Sequence, residues 1–486
     1  MSPMRTRVLR SAALVTLVVG LGAAPAAAHP PTPVTPESWT AGERLLVSDS
    51  ATGDIVVLDD GRLVTRVSTP RAPISLARSA DGTTAVAMRG RDTDRATATF
   101  LRTSFDEKTG RAGLPFVART WVGQAPGGVH HGRLPEFDGH LHFVDERTAQ
   151  LHGVRLDKLV GLARAQSRTI DLGRPDHYSF VTTRNGTKAP VLHVGYLRKG
   201  EIRSLDARTG RTLSVATGCP GLHGASPDES GRRVVFACRD GLLTIPADPG
   251  AGAGRAAQRT AYPSTERIGS LVPGAGGIRW GSTEGPGAAL HRVDTSGKAV
   301  TVSLLPLAHG GQARHALRTA TTPVGSRLLV LTYEGHLQIR DGRTGALRSE
   351  VRVAPRTPVT AEETTAVAAN PDIVATTEKA FLSVPSRGEI VEVDLASGTV
   401  GDRMPVGGTP TRMVLLHAPT AGSHGHGDHD NGDHKNGDHD NGGQAHKPGG
   451  GHPHGTATTP ATPGRSTGPA TPATPGAITG HDGHRH

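Results

Sequence analysis

Short β-rich runs of Val, Leu, Ile and Ala recur from about residue 40 to 417, each bounded by Asp, Gly, Pro or Ser. Such runs, with turn residues at both ends, predict strands rather than helices. One phrase returns between them, Asp-x-x-Thr/Ser-Gly. It stands at Asp49–Gly53, Asp206–Gly210, Asp341–Gly345 and Asp394–Gly398, with degenerate copies at Asp145–Ala149 and Asp294–Gly297. An Asp side chain bonds the backbone two residues on and Gly accepts positive φ, so the phrase predicts tight hairpins. A second phrase ends the strand before it, as in Ala77–Gly82, Ser226–Gly231 and Ala369–Asp372, and the strand that follows is aliphatic, as in Arg233–Ala237, Arg327–Leu331 and Ala380–Ser383.

Taking the start of each innermost strand as a marker places the markers near 73, 130, 177, 223, 268, 315, 365 and 411, a spacing of about 46 after one longer first step. Four short strands per unit of this length predict an all-β protein, a β-propeller that leaves only short protected sheet edges. The last marker, Thr409–Leu416, has no strands after it, whereas Arg44–Val47, Asp54–Leu58 and Arg62–Thr65 are three strands with no innermost one. The two ends should therefore close one blade together, giving eight blades, or seven if one unit is a pair of insertions.

The flanks read differently. Arg5, Arg7 and Arg10 precede an apolar stretch from Ala12 to Ala24, and Ala26-Ala27-Ala28 supplies the small residues that signal peptidase needs. Residues 1–28 are thus expected to be a signal peptide, 29–39 a linker, 40–417 the propeller and 418–486 a disordered tail. No later segment approaches the roughly 20 apolar residues of a membrane span, so the mature chain is expected to be secreted or held in the cell envelope, and to be monomeric. The formal charge of +10 falls by the three arginines to +7 on cleavage, mostly Arg spread singly, and nucleic acid is not implied. The two cysteines, Cys219 and Cys238, are most simply a disulfide in an oxidising compartment, closing a loop of about 20 residues worth roughly 3 kcal/mol; a pair of thiolate metal ligands is the competing reading.

Histidine changes the functional picture. Of 25 His, 11 lie beyond Ser423, and the pentapeptides starting at Asp428, Asp433 and Asp438 each carry one. A flexible His/Asp/Gly-rich run over 424–454, with His424, His426, His429, His434, His439 and His446, suits loose binding of divalent metal, the alternative being a solvated low-complexity tail. The Thr/Pro/Ala/Gly-rich remainder reads as a spacer. Within the propeller, four markers are histidines: His130 or His131, His177, His223 and His315. Innermost strands border one axis, so these rings are expected to meet at a channel site for Zn(II), with Asp176 as a ligand or as the acceptor for a ring N–H. His140 and His142, on one side of a strand, are the reserve candidates.

The stretch Cys219-Pro220-Gly221-Leu222-His223-Gly224, followed by Val235-Phe236-Ala237-Cys238-Arg239-Asp240-Gly241, resembles the exported zinc metallochaperones of the AztD type. The resemblance spans about 40–417 and is most specific in this Cys-to-Cys segment, the His177 strand and the His315 strand. It implies a β-propeller that captures Zn(II) and passes it to the solute-binding protein of a metal ABC importer, and that His177, His223 and His315 match family histidines. It departs from the family's pattern at Asp176-His177, where paired histidines are usual, and in carrying its His/Asp-rich segment at the C-terminal end. Two other readings weigh against it: a metal-dependent hydrolase or lactonase, for which no compact nucleophile motif is found, and a structural or adhesive propeller that presents loops to protein partners.

Overall fold

The computed structural model describes residues 44–417 except for 70–74, 90–94, 106–112, 114, 127–133, 160–166, 185–188, 250–256, 284–287 and 358–369. The chain forms an eight-bladed β-propeller of four-stranded antiparallel sheets. Blade 1 takes β1 (Arg44–Asp49), β2 (Asp54–Asp59) and β3 (Arg62–Ser68) from the start of the described chain. Blade 2 is β4 (Ser75–Arg78), β5 (Thr84–Arg89), β6 (Arg95–Arg102) and β7 (Phe116–Pro126); blade 3 is β8 (Glu136–Phe137), β9 (His140–Asp145), β10 (Gln150–Arg155) and β11 (Ser167–Asp171). Blade 4 is β12 (Tyr178–Thr183), β13 (Val191–Tyr196), β14 (Glu201–Asp206) and β15 (Thr212–Thr217); blade 5 is β16 (Ala225–Pro227), β17 (Arg233–Cys238), β18 (Gly241–Pro246) and β19 (Gln258–Thr260). Blade 6 is β20 (Ile268–Pro273), β21 (Ile278–Thr283), β22 (Leu290–Asp294) and β23 (Thr301–Leu305); blade 7 is β24 (Ala316–Thr321), β25 (Arg327–Thr332), β26 (His336–Asp341) and β27 (Leu347–Arg352). Blade 8 is β28 (Ile373–Ala375), β29 (Lys379–Val384), β30 (Glu389–Asp394) and β31 (Val400–Pro405), and β32 (Pro410–Leu416) returns to blade 1 as its innermost strand.

The ring closes where the sequence leaves strands unpaired. β32 pairs antiparallel with β1, placing Arg44 opposite Leu416, Leu46 opposite Val414 and Val47 opposite Met413. Asp49 reinforces the seam, its Oδ1 accepting the Thr409 N–H at 2.9 Å. Gly408, at φ +62°, lets the chain turn there, since a Cβ would lie 2.0 Å from the Asp49 carboxylate.

Each hairpin with the recurring phrase is built as its residues dictate. Asp206 Oδ1 accepts the N–H groups of Arg208 and Thr209, both at 2.9 Å, and Asp394 Oδ1 those of Ala396 at 3.1 Å and Ser397 at 2.7 Å. The phrase, degenerate copies included, joins the third and fourth strands in blades 4, 6, 7 and 8 but the second and third in blades 1 and 3, so it marks hairpins without fixing the position in the blade.

The core is not central but divided among the blade interfaces. Among the described residues eight apolar clusters occur, one between each neighbouring pair. Leu151 and Ile170 of blade 3, for example, pack with Leu192, Val194 and Leu205 of blade 4. Aliphatic side chains on both faces of every sheet are what this architecture requires, and few aromatic residues are needed. No helix among the described residues is long and apolar enough to cross a membrane.

Two strand starts differ from the sequence markers. β8 begins at Glu136 rather than near 130, and β28 at Ile373 rather than near 365. Both strands are short, two and three residues, so neither supplies the apolar run on which a marker depends.

Candidate metal site at the blade 4 and blade 5 junction

In every blade the innermost strand starts at the same end of the axis, and the hairpin between second and third strands returns to that end. His177 immediately precedes β12, His315 immediately precedes β24, and His223 lies two residues before β16. All three therefore sit at one mouth of the propeller. The carbonyls of His177 and His315 make equivalent bonds, accepting the N–H groups of Leu197 at 2.9 Å and Tyr333 at 3.0 Å. The sequence equivalence of these positions is thus an equivalence of register.

His177 and His223 belong to adjacent blades, and their rings face one another with Nε2 to Nε2 at 3.3 Å. The other nitrogen of each ring is engaged by an oxygen. His177 Nδ1 lies 2.8 Å from Glu146 Oε1, on the β9–β10 hairpin of blade 3. His223 Nδ1 lies 2.5 Å from the Gly269 carbonyl oxygen in β20. Carboxylate and carbonyl oxygens only accept, so both Nδ1 atoms carry a proton, and the two Nε2 atoms are turned towards each other. Two lone pairs at this separation repel unless a proton or a metal ion lies between them. Ligand nitrogens about 2.0 Å from a tetrahedral zinc stand about 3.3 Å apart, so the pair spans one edge of such a shell. Acceptors behind ligand imidazoles are what fixes tautomer and ring orientation in zinc sites.

The backbone under the pair is held from several sides. Asp176 is buried, and its Oδ1 accepts the N–H groups of His177 at 2.7 Å and Arg198 at 3.0 Å. The acceptor on the His177 ring is Glu146, and the Asp176 carboxylate ties the strand entry to the β13–β14 hairpin. The loop carrying His223 is stapled by the Cys219–Cys238 disulfide, with Cα atoms 4.9 Å apart. It is fastened further by bonds from Cys219 N to Gly200 O at 2.9 Å, from Arg239 N to Pro220 O at 2.6 Å and from His223 N to Ala237 O at 3.0 Å. The Ser179 hydroxyl, on β12, donates to the His223 carbonyl and so links the two histidine-bearing segments directly.

His315 stands apart from this pair, three blades on from His177 and two from His223. Its Nδ1 is 3.1 Å from Glu334 Oε1 on the β25–β26 hairpin, the same ring-to-hairpin arrangement as His177 with Glu146, except that its carboxylate comes from its own blade. Burial alone would raise the Glu334 carboxyl, but hydrogen bonds from the His315 ring and from backbone N–H groups hold it below the usual carboxylate range. Among the described residues no group of three or more His, Cys, Asp or Glu is arranged to hold a metal. His130, His131 and the tail histidines His424, His426, His429, His434, His439 and His446 lie outside the described residues.

The reserve pair is divided. His140 Nδ1 is 2.7 Å from the Asp138 carbonyl, whereas His142 is fully buried, stacked on Phe137 at a centroid distance of 3.8 Å. Burial pushes the His142 pKa down to about 3. Its environment is core.

Glu146 and the Gly269 carbonyl were not legible as site components, because Glu146 sits inside a degenerate hairpin phrase read only as a turn. The available signal is topological: second-to-third-strand hairpins return to the mouth where innermost strands begin.

No protein-family model and no curated protein matches the chain. Solved structures do. The fold is similar to apo AztD from Citrobacter koseri, with 20% sequence identity, 78% of this chain and 98% of that chain covered, and a TM-score of 0.59. It is also similar to dihydro-heme d1 dehydrogenase NirN, with 14% identity, 78% of this chain and 76% of that chain covered, and a TM-score of 0.52. Sqt1 from Saccharomyces cerevisiae is a third, with 11% identity, 74% and 93% covered, and a TM-score of 0.50. At these identities the likeness is one of fold.

Proposed function

We propose that this protein is an extracytoplasmic zinc-binding metallochaperone that captures Zn(II) at the propeller mouth and passes it to the solute-binding protein of a metal ABC importer. The observation that carries the reading is the His177–His223 pair, with both Nδ1 atoms held by oxygens and both Nε2 atoms 3.3 Å apart. Zinc is the cargo. The two rings supply one edge of its shell, and the remaining positions are filled by donors outside this pair, for which His130 and His131 are the sequence candidates. A half-buried site with only part of its shell from fixed side chains suits exchange better than permanent storage, since an incoming ligand can take an open position before the histidines let go. The His/Asp-rich tail gathers metal loosely, because it must give up backbone entropy of about 1 kcal/mol or more per residue that it orders.

The handover is tested by loading the full mature chain with one equivalent of zinc, mixing it with the apo solute-binding protein of the organism's zinc importer, and separating the two. Metal on the solute-binding protein at a rate above that of free-zinc release supports the reading. Metal that stays put, or arrives only as fast as it dissociates, contradicts it.

A further inference from the structure

The mouth that holds the histidine pair is rimmed by arginines. Arg147 follows Glu146 on the β9–β10 hairpin, Arg174 precedes His177 by three residues, Arg198 sits on the β13–β14 hairpin and Arg239 on the β17–β18 hairpin. All four are exposed. Their backbones fix them beside the pair. The Arg198 N–H donates to Asp176 Oδ1 at 3.0 Å, the Arg174 carbonyl accepts from the Tyr178 hydroxyl, and Arg239 lies over Gly221, where a Cβ would stand 3.4 Å from its Nε. Among the described residues none of the four guanidinium groups makes a hydrogen bond or an ion pair. The acids around them are otherwise engaged: Glu146 and Asp176 serve the histidine pair, Glu201 holds Lys199 at 3.0 Å, and Asp240 pairs with Arg259. Two further exposed acids, Asp171 and Glu266, against four arginines leave the rim positive.

The same chain carries the complementary charge. β32 runs from the histidine mouth to the far one, where the His417 N–H donates to the Gly82 carbonyl at 3.1 Å. Its 7 residues span about 23 Å. Beyond lie the three pentapeptides, outside the described residues, with Asp428, Asp430, Asp433, Asp438 and Asp440 against a single cation, Lys435. Asp428 and Asp440 follow His417 by 11 and 23 residues. A flexible Gly-rich chain of those lengths has an r.m.s. span of about 18 and 26 Å, which matches one strand length back to the rim. Tethering at a matching span gives an effective concentration in the millimolar range, so exposed ion pairs too weak to hold a free partner suffice for the tail.

We propose that in the metal-free protein the acidic run 428–442 of the same chain docks on the rim of Arg147, Arg174, Arg198 and Arg239 and covers the histidine pair. Guanidinium forks match carboxylates bidentately, which suits Asp side chains spaced along an extended segment. Zinc taken up by the tail occupies those carboxylates and adds two positive charges per ion, so loading the tail releases it and uncovers the pair. That consequence rests on the proposed function; the docking itself does not.

The test uses the full mature chain freed of metal with chelator, so its outcome is independent of the zinc reading. Nitroxide labels are placed at Gly437→Cys in the tail and Thr148→Cys beside Arg147, the native cysteines being bridged, and pulsed electron paramagnetic resonance reads the distance between them. Gly437→Cys with Lys298→Cys, on the β22–β23 hairpin at the far mouth, is the reference pair. A distinct short-distance population is expected for the first pair at low salt and not for the second. It should vanish in 1 M salt, where the screening length is about 3 Å, in the Arg147→Gln/Arg174→Gln/Arg198→Gln/Arg239→Gln variant, and when the five Asp of the run are changed to Asn. Should the fourfold variant fail to fold, the Asp→Asn variant still decides, since it alters no residue of the propeller. The same broad distribution at both positions, a short population unaltered by the Asp→Asn changes, or one that arises only between singly labelled chains when mixed would overturn the proposal.

Discussion

His177 and His223 come from adjacent blades and meet Nε2 to Nε2 at 3.3 Å, although 46 residues separate them in the chain. The separation is one blade repeat. Each ring borrows its second partner from a neighbouring blade, Glu146 from blade 3 and Gly269 from blade 6, so four consecutive blades define the orientation of two side chains. The orientation of both rings is thus set by the propeller itself.

The Glu146 carboxylate accepts from His177 Nδ1, and under the proposed function this tautomer leaves Nε2 to the metal. Glu146→Gln should therefore weaken zinc binding at the tight site by about 10- to 100-fold while leaving the melting temperature of the metal-free protein nearly unchanged. Competition with a chromophoric chelator measures the first and calorimetry the second. An unchanged affinity would remove Glu146 from the site.

The Cys219–Cys238 bridge staples the loop that presents His223. Replacing both cysteines by Ser should cost about 3 kcal/mol of stability, read from the urea midpoint, by the loop-closure estimate for this separation. It should also weaken zinc binding, since His223 then samples more orientations. Stability lost with affinity retained would show that the other bonds to the loop suffice.

Much of the fold was legible because a propeller repeats. The period of about 46 residues, the unpaired strands at Arg44–Thr65 and the orphan strand at 409–416 point to the closure and favour eight blades over seven, since each blade must bury both faces and the ring can have no open edge. The markers near 130 and 365 misplaced two strand starts, because β8 and β28 hold too few residues for an apolar pattern. The histidines at blade-equivalent positions were legible for the same reason of register. Their partners were not: Glu146 reaches the site through a hairpin of a neighbouring blade, and the Gly269 contribution is a backbone carbonyl, which any residue would supply.

Closure of the ring depends on Gly408, which turns at φ +62° against the Asp49 carboxylate. Gly408→Ala forces a left-handed backbone on an L side chain and pushes aside the carboxylate that accepts the Thr409 and Ala51 N–H groups, at 2.9 and 3.0 Å. A loss of about 3 kcal/mol is expected, measured by urea unfolding. A change below about 0.5 kcal/mol would mean that the seam adapts.

Acid should destabilise the propeller through its buried core histidines. Burial lowers the His193 pKa to about 4, with the ring between Thr183 Oγ1 and Ser204 Oγ, both at 2.9 Å. His142 is lowered to about 3. The unfolded chain takes up these protons near pH 6.5 and the folded chain does not, so stability is fully present above about pH 6.5 and falls as pH drops towards 4. Each ring contributes a fall of about 3 kcal/mol by pH 4. His142→Leu should flatten that slope, and an unaltered pH profile would place the acid sensitivity elsewhere.

The most direct measurement is a zinc competition titration of the full mature chain beside its His177→Ala/His223→Ala double variant, at pH 7.5 and with the folded state of both checked by circular dichroism. The parent should show one tight site above a set of looser ones, and the double variant should lose the tight site while the looser set persists. A tight site that survives in the double variant would contradict the account, because the zinc chemistry would then lie outside the pair that the blade 4 and blade 5 junction brings together.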